Sequence, residues 1–132
     1  MEPRISLITL GVADLESAAS FYEKVLLLPR LPSPPEITFF DLGKTWLALF
    51  PRAHLAADIG VPSVGSGFNG FTLAHNVRSP AEVDLLLDQV AAAGGVIVKP
   101  AQRADWGGYS GYFCDPDGFY WEVAWNPDFP HV

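Results

Sequence analysis

Few side chains in this 132-residue chain have the types and spacing that chemistry needs. Glu122 is the foremost of them. It stands between Trp121 and Val123 in a β-forming run. Strand alternation puts it on one face with Ala124, and puts Trp121, Val123 and Trp125 on the other. A carboxylate in apolar company needs a partner. It could anchor a polar or cationic ligand group, act as a general base with a raised pKa, or bond Thr72 or water. Thr72 shares its strand face with Ala74 and Asn76, whereas His75 lies on the opposite face with Leu73 and Val77. That second face is expected to meet the helices, which makes His75 a core histidine bonded locally. His54 and His131 have no partner in sequence, so a metal site built from the three histidines is not expected.

Other motifs carry less. Asp115-Pro116-Asp117-Gly118 holds two carboxylates, but its proline and glycine are those of a tight turn. Gly107-Gly108 is too short for a phosphate loop and no helix follows it. Trp106 and Tyr109 flank those glycines in an insertion that could fold over a cavity mouth as a lid. Such rings suit flat apolar or cationic ligands by stacking or cation–π contact. Exposed loop aromatics also serve dimer interfaces.

The elements that must position these residues are legible in the pattern. Residues 5–12 are β-rich, Asp14 is a helix N-cap, and Leu15, Ala18, Tyr22, Val25 and Leu26 recur at helical spacing up to Pro29. Pro32, Pro34 and Pro35 break the next stretch. Strands are expected at 36–42 and 45–50, turned at Gly43-Lys44. The Pro-, Gly- and Ser-bearing segment 52–69 is expected to be a linker or long surface loop. A strand at 70–77 follows, then a capping box, Ser79-Pro80-Ala81-Glu82, opening a helix with the apolar stripe Val83, Leu86, Leu87 and Val90. Gly94-Gly95 ends that helix. A short strand at 96–98 closes at Pro100, and strands at 108–115 and 119–126 complete the chain.

Strand, helix and strands thus occur twice. Val12 aligns with Val77 at an offset of 65, and Gly43 with Gly118 and Trp46 with Trp121 at an offset of 75. We expect one α+β domain over residues 1–132, built of two βαβββ units at 4–51 and 70–127, whose curved mixed sheets pair around a cavity.

Composition excludes several classes. Hydrophobic residues at 49% and charged residues at 17% are incompatible with a disordered chain. Eight Lys and Arg against fifteen Asp and Glu give a net charge of −7, which argues against nucleic acid. No apolar run approaches the roughly 18 residues of a membrane span, so no membrane partner is expected. Met1-Glu2-Pro3-Arg4 shows no secretory pattern, and the single cysteine, Cys114, cannot form an internal disulfide; both suit a cytoplasmic location.

Ile5–Leu15 leading to Phe21-Tyr22, the Asp115–Glu122 segment and the duplication together resemble the vicinal oxygen chelate superfamily, which includes glyoxalase I, bleomycin-resistance proteins and extradiol dioxygenases. The resemblance implies the paired-sheet fold and, in catalytic members, a divalent metal held early in the first strand and in the last strand of each unit. Those positions fall on Leu7, Leu47, Thr72 and Glu122, and only Glu122 is a good donor. No metal and no cofactor are therefore expected. The implied cavity is lined by Leu7, Thr9, Leu47, Leu49, Thr72, Tyr112 and Glu122, with Phe39 beside Tyr112 and with Trp106 and Tyr109 at the mouth. Cys114 falls on the cavity side and is expected to act as a small hydrophobe. Trp46, Phe50, Trp121 and Trp125 are expected beneath the helices. The function implied is metal-independent binding of a small aromatic or cationic molecule, drug sequestration being one form of it, by a homodimer. The alternatives are a lyase, isomerase or dioxygenase with an atypical metal site or with Glu122 as catalytic base, and a protein-interaction module.

Overall fold

Alternating burial marks the first strand, β1 (Leu7–Val12), in which Leu10 and Val12 are buried. The computed structural model describes residues 3, 6–60, 62–65, 67–69, 72–105 and 107–128. Asp14, in extended conformation, accepts the Ser17 N–H at 2.8 Å and so starts α1 (Leu15–Ser20). The single helix expected up to Pro29 is instead two segments. After α1 the chain widens into a π-helical segment, Phe21–Val25, with the Leu26 N–H on the Phe21 carbonyl at 3.2 Å. Phe21 and Tyr22 are both buried there, and Leu27, at φ 57°, ends the turn in the left-handed region.

β2 (Thr38–Asp41) and β3 (Trp46–Pro51) pair antiparallel, and β3 pairs parallel with β1, giving the order β1-β3-β2. The remaining strand of the expected βαβββ unit is reduced to one bridge between Arg30 and Phe40. Pro29, Pro32, Pro34 and Pro35 lack the N–H groups a ladder requires. The expected linker is also corrected. Arg52–Ile59 forms α2 directly after β3, capped by Gly60 in the left-handed conformation. Apart from Pro51, which precedes the helix, the proline, glycine and serine residues that suggest a loop come at or after Gly60, whereas Ala53, Leu55, Ala56 and Ala57 are helix formers.

The second compact unit, residues 68–132 against 1–67 for the first, carries β4 (Leu73–Asn76), α3 (Pro80–Ala92), β5 (Val96–Arg103), β6 (Tyr109–Cys114) and β7 (Tyr120–Trp125). Its sheet order is β4-β7-β6-β5, with β4 parallel to β7 and the other pairs antiparallel. Ser79 accepts the Glu82 N–H at 3.3 Å, Pro80 occupies the first turn, and α3 buries Val83, Leu87 and Val90. Each such burial is worth about 1.5–3 kcal/mol. Gly94, at φ 86°, lets the Gly95 N–H return to the Val90 carbonyl at 2.8 Å and closes the helix.

β5 continues through Pro100 to Arg103 instead of closing there. It is an edge strand, and its pairing with β6 shifts register on both sides of Lys99, so the missing N–H costs no ladder bond. His75 is exposed and not in the core, because β4 is the opposite edge while α3 packs on β5, β6 and β7. Asp115 is a buried turn clamp: its Oδ1 accepts the N–H groups of Asp117 at 2.9 Å and Phe119 at 2.8 Å. No helix among the described residues is long and apolar enough to cross a membrane.

The closest helix-to-sheet approach rests on Gly111. A Cβ there would lie 2.6 Å from Leu87 Cδ1 and 2.9 Å from the Lys99 carbonyl oxygen. Gly111→Ala is expected to lower stability by about 1–3 kcal/mol, measured as the shift in a chemical denaturation midpoint at unchanged slope.

Candidate functional site

Register decides which side chains share a face. In the first unit Ile8 lies opposite Leu47 and Leu47 opposite Phe40, while Leu10, Leu49 and Thr38 form the next such row. Phe40 meets Tyr22 with ring centroids 6.0 Å apart, so these rows face the helical side and are buried there. Leu47 and Leu49 therefore belong to the core between helix and sheet, not to the expected cavity lining. The face away from α1 carries Leu7 with Trp46, Thr9 with Ala48 and Phe39, and Gly11 with Phe50. Trp46 is 43% exposed and tilts against Phe39 at 5.7 Å. α2 covers one end of this face, where the His54 ring meets Phe50 edge-on at 5.8 Å.

In the second unit the Tyr109 hydroxyl donates to Asp84 of α3 at 2.8 Å, which puts Tyr109 on the helical side of β6. That bond raises the Tyr109 phenol, more than its slight burial does. Tyr109 is thus no lid residue, and Trp106 lies outside the described residues. Phe113 stacks on Trp121 at 6.2 Å on the same helical face. The far face carries Glu122 in one row with Ala74 on β4 and Tyr112 on β6. Its next row pairs Cys114 with Tyr120. Phe68 meets the Tyr120 ring edge-on at 5.9 Å. Thr72 donates to the Tyr120 carbonyl at 3.0 Å, so its hydroxyl does not serve Glu122.

Tyr112 lies opposite Glu122 on β6. Burial pushes the Tyr112 phenol up, and the charge and hydrogen-bonding capacity of the nearby Glu122 push it further. The Cys114 thiol is also raised, by burial first and then by Asp115, which keeps it a protonated, half-buried side chain.

Comparing the two registers corrects the repeat. Thr9 faces Ala48 as Ala74 faces Glu122, so Ala48 corresponds to Glu122 at an offset of 74 and not 75. The slip arises in the hairpins: residues 42–45 separate the paired Asp41 and Trp46, while residues 115–119 separate the paired Cys114 and Tyr120. Aligning the turn glycines carried that extra residue into the strand, and one residue flips every side chain to the other face. The same slip misplaces Trp46 and Phe50, which sit on the far face of the first unit; Tyr120 shares the far face of Glu122 two residues away. Matching strand alternation instead of turn glycines would have found them.

A family model described as the Glyoxalase/Bleomycin resistance protein/Dioxygenase superfamily matches residues 4–123, and the chain belongs to that superfamily. Its fold is similar to that of a glyoxalase-related enzyme from Fulvimarina pelagi, 39% identical, with a TM-score of 0.90 over 98% of this chain and 93% of that one. A lactoylglutathione lyase from Agrobacterium tumefaciens is 26% identical, with a TM-score of 0.74 over 98% of each chain. The metallothiol transferase FosB of Shouchella clausii is 29% identical over 90% of this chain and 77% of its own length.

The superfamily's metal can be tested against the donor set. With the register corrected, its four ligand positions hold Leu7, Ala48, Thr72 and Glu122. Leucine and alanine offer no lone pair, and the threonine hydroxyl is already bonded to a carbonyl. One carboxylate falls short of the three protein ligands of a catalytic zinc site. Within each unit, among the described residues, no three His, Cys, Asp or Glu side chains cluster as a metal site. The residues present do not fit the metal.

Glu122→Gln is expected to return the Tyr112 phenol part of the way toward its ordinary value. A pH titration of tyrosinate absorbance reads this, with Tyr112→Phe identifying the signal. Because the folded phenol titrates above the unfolded one, its stabilisation is complete below pH 10 and is lost as pH rises through the folded value. Tyr112→Phe accordingly flattens the alkaline fall in stability.

Proposed function

We propose that the chain binds a small organic molecule, aromatic or cationic in character, without a metal, on the far face of its second sheet. The carrying observation is Glu122, which stands opposite Tyr112 while carbon side chains or a bonded hydroxyl hold the other three ligand positions. Its carboxylate suits an anchor for a polar or cationic group. Tyr112 and Tyr120 on the same face supply aromatic surface for a flat apolar body. The names of the curated relatives point to metal-dependent thiol transfer. The donor set of this chain departs from what such chemistry requires, so the proposal departs from those names. We further propose a cytoplasmic homodimer: the superfamily resemblance and the single cysteine support this reading, and light scattering on the purified protein tests the dimer.

A phenanthridinium dye, a flat aromatic cation, is a suitable probe by tryptophan quenching. Glu122→Gln is expected to weaken it about tenfold and Tyr112→Ala by a similar factor, while chelator treatment leaves binding unchanged. A stoichiometric divalent ion retained without a metal-affinity tag, and lost in Glu122→Ala, overturns the metal-free reading.

A further inference from the structure

We infer a second binding site on the helical side of the first unit, for a small organic ammonium ion with an apolar body. A cleft of about 550 Å³ opens there between α1, the π-helical segment and the proline-rich strap that precedes β2. That volume falls within the range of small-molecule sites, roughly 300–1,000 Å³. The cleft lies against the opposite face of the sheet from Trp46 and Phe39, so it is separate from the far-face site.

Its mouth is charged and unbalanced. Arg30 donates to both oxygens of Glu16, at 3.2 and 3.1 Å, and to Oε2 of Glu23 at 3.2 Å. Both Glu16 oxygens are occupied, and Lys24 acts on Glu16 as well. Glu23 Oε1 has no bonding partner among the described residues. Among the charged groups that line the cleft, two carboxylates share one guanidinium, with Lys24 outside the lining offsetting part of the surplus, in a chain of net charge −7.

The interior supplies a second polar group. Thr38 lines the cleft and is only 2% exposed. No described group bonds its hydroxyl, and no fully buried side-chain oxygen among the described residues lacks a partner. The hydroxyl therefore keeps a small accessible surface on a residue that lines the cleft. Leu15, Leu31 and Ile37 provide apolar wall around it.

The walls are held before any ligand arrives. The Ser33 hydroxyl donates to the Leu31 carbonyl at 2.9 Å and accepts the Phe39 N–H at 3.0 Å. The Leu31 N–H bonds the Phe39 carbonyl at 2.9 Å, and the prolines restrict the backbone between. A preformed site loses less to ordering on binding. An ammonium has three donors and no acceptor, which matches a carboxylate oxygen and a hydroxyl oxygen. An anion would meet the surplus carboxylate charge, and a neutral alcohol would forgo it.

The test titrates the full chain with phenethylammonium chloride, followed by amide NMR shifts and calorimetry, with phenethyl alcohol and phenylacetate as neutral and anionic controls. Saturable binding of the ammonium alone, with shifts centred on residues 30–38, is expected. Glu23→Gln and Thr38→Val should each weaken the binding read at residues 30–38 about tenfold, whereas Glu122→Gln removes only shifts in the second unit. Absence of saturable binding, equal binding of the alcohol, or loss in Glu122→Gln with retention in Glu23→Gln overturns the inference. Should Thr38→Val fail to fold, Glu23→Gln decides alone, since Glu23 lies at the surface and its change leaves the core intact.

Discussion

In each unit the first strand lies parallel beside the last, and the intervening helix crosses a single face of the sheet. A parallel pair needs such a crossover, and a sheet with one face under a helix leaves the other face for something else. Everything that can do chemistry here is sorted by that pairing. Leu10 opposite Leu49 and His75 opposite Val123 define helical faces; Thr9 opposite Ala48 and Ala74 opposite Glu122 define far faces. Because side chains alternate with a period of two, a single residue of register carries the difference between core and site.

The two units use the same frame for different chemistry. Ala48 with Phe39 in the first corresponds to Glu122 with Tyr112 in the second. One pair is wholly apolar and the other sets a carboxylate opposite a phenol. Shared ancestry of form accounts for the superfamily match over residues 4–123, but the donors that would make a metal centre are absent from three of four positions. Fold and chemistry separate at those side chains.

The repeat is also broken where it matters for a second surface. Prolines deny the first unit its extra hairpin strand, leaving one bridge at Arg30 and Phe40. The strap that replaces the strand does not lie flat on β2, and the cleft beside Thr38 opens in that gap. The π-helical segment contributes Glu23 to its wall.

Local pattern was enough for much of the molecule. The caps at Asp14 and Ser79, the stripe on α3, the turn at residues 115–118 and the duplication follow from hydrogen-bonding capacity and spacing within a few residues. Alternation puts Glu122 on a face with Ala124 and away from Trp121 and Val123, as the register has it, and Leu7, Thr9, Phe39 and Tyr112, which only the resemblance places, lie on faces away from the helices. Helix α2 escaped notice because its alanines were read together with the prolines and glycines that follow. Leu47, Leu49 and Tyr109 were placed on the wrong face, since hairpin length and the Tyr109–Asp84 bond are not written in any local pattern. The sequence by itself determined most of the strands, the helices that start at the Asp14 and Ser79 caps, and the single carboxylate among the superfamily's ligand positions. Only the tertiary structure decided which side of each sheet those residues occupy, because register depends on pairing between segments distant in the chain, where one residue more in a turn reverses every side chain beyond it.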